Sequence, residues 1–252
     1  MNTNYSENNY IVLVGKITSE KVFSHEVYGE SFYVFNLEIP RLSGTTDSIP
    51  VTISERLIAN YDLEIGKEVE IEGQLRSYNT YENQRSRLVL TVFAKDIKEY
   101  EEEEGKEKIS NEVVLTGYIC KKPIYRKTPF EREISDILLA VNRAYNKSDY
   151  IPCIAWGRNA RFCENMEIGT EVRITGRFQS RIYEKKYEDG TIEPRVAYEV
   201  SVGSLELVNK NDDENQEDNK EEAEAIQDKK TQSYRLRFFY YCDNIISDYY
   251  GE

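Results

Sequence analysis

Apolar and polar residues alternate with a period of two along most of this chain, which is the signature of half-buried strands. Tyr10–Ile17, Phe32–Ile39, Ile49–Ser54, Val69–Tyr78 and Leu88–Ile97 each read as a strand, with large apolar residues spaced alternately in FYVFNLEI. Between the third and fourth lies a short helical candidate, Arg56–Tyr61, with Gly66 in the turn after it. The order then recurs as strands Glu112–Cys120, Ile134–Val141 and Tyr150–Ala155, helix Asn159–Asn165, and strands Glu171–Tyr183 and Arg195–Leu207.

The recurrence is literal. NYIVLVGKI at Asn9–Ile17 returns as NEVVLTGYI at Asn111–Ile119, a shift of 102, and the same shift carries Arg41 onto Arg143 and DSIP (Asp47–Pro50) onto DYIP (Asp149–Pro152). At a shift of 103, GKEVEIEG falls on GTEVRITG. A period of that length is too long for a solenoid repeat and suits one small domain. Three strands, a helix and two strands is the plan of the OB-fold barrel, in which closure removes exposed edges. The expected class is therefore all-β: two tandem five-stranded OB-fold barrels, each with one short helix, plus a disordered acidic tail. The expected boundaries are barrel 1 at 9–100, a charged linker at 101–108, barrel 2 at 109–208, an acidic spacer at 209–230 and an aromatic segment at 231–252. Gly15/Gly117 and Gly73/Gly176 sit inside strands at matching places, as glycines at barrel bends or bulges do. Residues shared by the copies are expected to describe the barrel, and unshared ones the binding site.

Charge changes the picture once it is divided. The whole chain carries −13, but residues 1–108 hold 12 Lys+Arg against 20 Asp+Glu, 109–208 hold 15 against 14, and 209–252 hold 6 against 12. The second copy is thus near neutral with nine arginines, while the first copy and the tail supply the acid. Among four cysteines no CxxC occurs, and His25 is the single histidine, so no metal site and no cofactor are expected. Cys120, Cys153 and Cys163 lie in apolar contexts and are expected as buried thiols. Met1–Asn9 has no apolar signal core and no apolar run reaches about 18 residues, so a cytoplasmic protein without a membrane span is expected. The chain offers no GxSxG, P-loop or Cys–His pair, and no enzyme is expected.

Binding of single-stranded nucleic acid without sequence preference needs flat side chains to stack on bases and cations along the phosphate track. The second copy has both. Tyr145 follows its second strand, Tyr150 opens the third, Trp156 closes it, and Tyr183 lies on the last hairpin. Arg126, Arg143, Arg158, Arg177 and Arg181 are interleaved with them, and alternation puts Arg177, Gln179, Arg181 and Tyr183 on one strand face. Taken singly, each tyrosine is as readily packing or surface, Trp156 could be core, and single arginines are usually solvated. The combination carries the reading.

These residues resemble the bacterial single-stranded DNA-binding protein family. The resemblance rests on NEVVLTGYICKKP, on RKTP at Arg126–Pro129 with Thr128, on LLAVNR, DYIPCIAWGRNA and GTEVRITGRFQSRIY, and on YEV at Tyr198–Val200. It implies an OB-fold that coats single-stranded DNA in replication, recombination and repair, near the nucleoid. It further implies stacking by Tyr145, Tyr150, Trp156 and Tyr183, a homodimer presenting four barrels, and a tail that recruits replication or repair enzymes. The tail departs from the family in ending DNIISDYYGE. At the matching places the first copy has Ser43, Ser48, Ser54, Gln74 and Tyr78, so it reads chiefly as an assembly or accessory barrel. Arg41, Arg76, Tyr78, Tyr81, Arg85 and Arg87 remain there as a weaker patch, and DNA binding by a different face stays open. The alternatives are an RNA-binding or primosome-accessory OB-fold protein, and a tandem barrel that makes only protein contacts.

Overall fold

A computed structural model describes residues 8–82, 85–102, 110–187 and 190–208. Apart from residues 101 and 102, the expected linker, acidic spacer and aromatic segment lie outside the described residues.

Barrel 1 runs β1 (Asn9–Ile17), β2 (Val22–Val27), β3 (Glu30–Pro40), β4 (Thr46–Ser54), α1 (Glu55–Ile58), β5 (Glu68–Glu82) and β6 (Arg85–Glu99). Barrel 2 repeats the order as β7 (Asn111–Ile119), β8 (Ile124–Lys127), β9 (Glu133–Arg143), β10 (Lys147–Trp156), α2 (Gly157–Glu164), β11 (Glu171–Lys186) and β12 (Ile192–Leu207). The expected all-β class with two OB-fold barrels is present. Each barrel carries one short strand more, β2 and β8, hairpinned onto β3 and β9. Every residue of β2 is exposed, so it has no apolar alternation to reveal it. The helices begin one or two residues earlier than expected, and α1 is a single turn.

The inward faces hold the cores: Leu13, Phe35, Leu37, Val51, Ile71 and Val92 in barrel 1, and Leu115, Ile137, Leu139, Ile151, Phe178 and Val200 in barrel 2. Each barrel closes by a short parallel contact, Val51 beside Val92 in one and Cys153 beside Val200 in the other. Cys120, Cys153 and Cys163 are buried and form no disulfide among the described residues.

The paired glycines mark places where backbones meet. β1 leaves β5 for β3 near Gly15, where a Cβ would stand 2.5 Å from the Glu38 carbonyl oxygen, and Gly117 meets the Ala140 carbonyl oxygen at the same distance. The register of β5 slips at Glu72/Gly73 and that of β11 at Thr175/Gly176. These are β-bulges that bend the long strands round the barrel.

The barrels join edge to edge, because β1 pairs antiparallel with β7 and makes one 12-stranded sheet. Ile11 faces Val113, Asn9 faces Leu115 and Leu13 faces Asn111. Since the copies are offset by 102, each pair maps onto its mirror, which makes an isologous, two-fold interface within one chain. The same symmetry holds where Thr116 N–H donates to Asn8 at 2.8 Å and Val14 N–H donates to Ser110 at 2.9 Å.

Two carboxylates fasten this interface. Asp47, fully buried, accepts the Ser180 N–H at 2.7 Å and hydroxyl at 3.1 Å, and pairs with Arg41, whose Nη2 donates to the Ser180 carbonyl. Asp149 accepts the Ser77 N–H at 2.8 Å and Arg76 Nη1 at 2.9 Å, while the Ser77 hydroxyl accepts the Tyr150 N–H at 2.7 Å. The shared Asp and Arg residues were expected to describe the barrel. Asp47, Asp149 and Arg41 instead hold one barrel to the other, while Arg143 lies beside Asp149 in its own barrel.

Candidate nucleic-acid interface

In barrel 2 the strands β10, β12 and β11 lie side by side. Ile154 neighbours Ser201 across the parallel contact, and Ser201 stands opposite Arg177 on β11. Trp156 follows Ile154 by two residues and so shares its face. Its indole Nε1 donates to the Ser201 hydroxyl at 3.1 Å, and the side chain remains 38% exposed. One edge of the ring is thus fixed while part of its surface stays open, which is the condition for a stacking platform. Arg177 is half-buried on the same row.

Further along β11, alternation keeps Gln179, Arg181 and Tyr183 on this face. Gln179 Nε2 donates to Glu199 Oε1 at 3.0 Å, and Arg181 Nη2 lies 3.6 Å from Glu199 Oε2. Glu199 is almost wholly buried, so it depends on these two partners. The Arg181 guanidinium also sits 5.6 Å from the centre of the Tyr183 ring, within cation–π range. At the hairpin end the Tyr187 hydroxyl donates to Glu193 and accepts from Arg195 Nη2 at 2.7 Å. The bond to Glu193 raises the Tyr187 phenol above its ordinary pKa.

The remaining expected residues fall into two groups. Arg126 and Thr128 belong to the β8–β9 hairpin. Arg126 Nε donates to the buried Asp136 at 2.8 Å, and the Thr128 hydroxyl accepts the Arg132 N–H at 3.2 Å, closing the turn. Arg158 is exposed in the first turn of α2, two residues after Trp156.

Arg143, Tyr145 and Tyr150 flank the β9–β10 turn. Tyr145 and Asn146 both have positive φ, 61° and 56°, a left-handed pair that matches a tight hairpin turn and projects the Tyr145 ring almost fully into solvent. Tyr150 is half-buried against the core, and its backbone is held by Ser77 of barrel 1. Arg143 lies 3.6 Å from Asp149, in the interface between barrels. The structure therefore brings Trp156, Arg177, Arg181 and Tyr183 onto one face. Along β10 the unbroken alternation keeps Tyr150 on the Trp156 face, six residues away, while its backbone N–H is held by Ser77 of barrel 1.

Sequence reasoning missed Ser201 and Glu199, which position the face from β12. It also missed Ser77, which reaches the site from the other copy. Among the described residues no group of His, Cys, Asp or Glu could hold a metal ion, and no helix is long and apolar enough to cross a membrane. In barrel 1, Arg41 and Arg76 are engaged in the two clamps.

The profile of the single-strand binding protein family matches residues 110–208. Single-stranded DNA-binding protein 2 of Listeria innocua is 32% identical over 132 residues, covering 50% of this chain and 82% of that protein. Single-stranded DNA-binding protein A of Bacillus subtilis is 35% identical over 83 residues, covering 30% of this chain and 48% of that protein. The chain therefore spans most of the first relative and about half of the second. The crystal structure of the wild-type single-stranded DNA binding protein from Thermus aquaticus matches 82% of this chain and 96% of that one with a TM-score of 0.61, at 21% identity, which is a likeness of fold.

Proposed function

The chain belongs to the single-strand binding protein family, and we propose that it binds and protects single-stranded DNA without sequence preference, through barrel 2, during replication, recombination and repair. The observation that carries this is the Trp156–Ser201–Arg177 row. An indole held by one edge and left partly open lies beside a guanidinium with no hydrogen bond or ion pair among the described residues. Tyr183 and Arg181 extend the row along β11. The track gains Arg126, Thr128 and Arg158 on one side and Arg143, Tyr145 and Tyr150 on the other. Stacking accepts any base and guanidinium groups accept any phosphate, so the face has no means of reading sequence.

The protein acts by binding and not by catalysis. Barrel 1 is chiefly an assembly barrel, and two chains form a homodimer presenting four barrels. The acidic spacer and the DNIISDYYGE end recruit replication or repair enzymes, in a cytoplasmic, nucleoid-associated setting; both segments lie outside the described residues.

Titration with oligo-dT tests the central reading. Binding should quench Trp156 fluorescence and weaken as salt rises. Trp156→Ala combined with Tyr183→Ala should cost roughly 2–6 kcal/mol, from about 1–3 kcal/mol per stacked base. Unchanged affinity in that double variant would remove the assignment, and preference for a matched RNA would redirect it to RNA.

A further inference from the structure

Barrel 1 lacks the tryptophan, yet its corresponding face holds a different aromatic row. Phe93 stands opposite Gln74 on β6, in the place that Ser201 occupies opposite Arg177 in barrel 2. Phe32 lies 5.6 Å from Phe93, ring centre to ring centre, and His25 lies 5.0 Å from Phe32 with the rings 10° from parallel. Arg76 closes the row, with its guanidinium 5.9 Å from the centre of Phe93. The row runs across β2, β3, β6 and β5.

A bulge builds its outer end. Val22 pairs with Val34 and Phe23 with Tyr33, but the next pair is His25 with Phe32, which leaves Ser24 as an extra residue. The inserted residue turns His25 onto the face of Phe32, while Phe23 lies against Tyr33. In barrel 2 the strand β8 runs without a break, and Arg126 takes the place opposite Ile134. An imidazole, delivered by a bulge, thus replaces the guanidinium of the sister barrel. The ring of His25 is exposed, and with one face on Phe32 its other face is available to a flat ligand.

We propose that the His25–Phe32–Phe93–Arg76 row of barrel 1 is a second single-strand subsite, which stacks bases on His25 but takes little hold of phosphates. It rests on the reading of barrel 2 as the principal site. The weak hold on phosphates follows from charge: Arg76 is already paired with Asp149, and residues 1–108 carry an excess of acid. Such a subsite is filled only by a strand already anchored on barrel 2, at the high local concentration that tethering gives.

The test uses the full chain and two oligo-dT probes, one of about 8 nucleotides, within one barrel's site size, and one of about 30, long enough for two. His25 is exposed on an edge strand, so His25→Ala should fold normally. The proposal expects His25→Ala to weaken binding of the long probe about tenfold, the loss of one stacked base, and to leave the short probe unaffected. His25→Tyr should restore the long-probe affinity. Loss of long-probe affinity should be similar at low and high salt. Unchanged long-probe binding in His25→Ala overturns the proposal, as does equal weakening of both probes. If the unaltered protein binds neither probe, the reading of barrel 2 has failed, and that outcome is distinct from both.

Discussion

Ser77 of barrel 1 donates its backbone N–H to the buried Asp149 carboxylate of barrel 2 at 2.8 Å. Its hydroxyl accepts the N–H of the next residue, Tyr150, so one residue of the first copy holds the start of β10 where the β9–β10 turn re-enters the sheet. Asp149→Ala would leave the Ser77 N–H without its acceptor and Arg76 without its carboxylate, and should destabilise the chain by about 3–5 kcal/mol in urea unfolding. Ser77→Ala removes only the acceptor of the Tyr150 N–H and should cost about 1–2 kcal/mol. Asp47→Ala breaks the mirror contact and should match Asp149→Ala. If Asp149→Ala leaves the unfolding midpoint unmoved, the clamp does not hold the barrels together.

Arg177 and Arg181 share a face but not a situation. Arg181 is committed to Glu199, whereas Arg177 has no hydrogen bond or ion pair among the described residues. Arg177→Gln should therefore reduce the slope of log affinity against log salt by about 0.7, the value of one phosphate contact on a single strand. Arg181→Gln should change that slope less and lower stability more, since among the described residues the buried Glu199 would keep Gln179 as its remaining partner. Equal slopes for the two variants would contradict this division.

At Gly176 a Cβ would stand 2.2 Å from the Ser201 carbonyl oxygen, a backbone atom that cannot swing aside. Gly176→Ala should cost at least about 1–3 kcal/mol by overpacking. It should also weaken oligo-dT binding, because Ser201 carries the bond to Trp156. Gly73→Ala, the same change at the bulge of barrel 1, should cost similar stability and leave Trp156 quenching intact. Thermal melts paired with fluorescence titration separate the two.

The strands were legible because their inward faces alternate; FYVFNLEI shows Phe35, Leu37 and Ile39 as the buried set. β2 was not legible, since its residues face solvent throughout and its bulge breaks any period of two. Trp156, Arg177, Arg181 and Tyr183 could be placed on one face by counting from strand ends. The hold of barrel 1 on the Tyr150 backbone could not, because it depends on contact with the other barrel. The clue lay in the repeat itself. Arg41/Arg143, Asp47/Asp149 and Ser77/Ser180 recur at matching places, and a polar group present in both barrels points to something the barrels do together.

Glu133 ties β9 to β8 and α2 by accepting the Tyr125 hydroxyl at 2.8 Å and Arg161 Nε at 2.7 Å. The Tyr125 bond first, and the Arg161 bond second, hold its carboxyl below the ordinary carboxylate pKa. A carboxyl lowered on folding contributes stability that is present above its unfolded pKa and is lost as pH falls through the folded value. Glu133→Gln should therefore lower Tm at about pH 7, with the difference from the unaltered protein shrinking toward about pH 3. A difference independent of pH would assign the effect to packing.

The antiparallel meeting of β1 and β7 has a consequence for direction. A two-fold between Ile11 and Val113 reverses β1 against β7, so a path that runs along these strands meets the equivalent faces of the barrels in opposite senses. A nucleic acid has a chemical direction along its sugar–phosphate chain. A strand that meets both faces in the same sense must double back between them, whereas a straight path crosses one of them in reverse. Guanidinium contacts to phosphates are sensitive to that reversal, and a flat ring stacked on a base is much less so. On the binding proposed above, the arginines of barrel 2 would fix the heading of the strand, and the His25 ring of barrel 1 would accept it from either end.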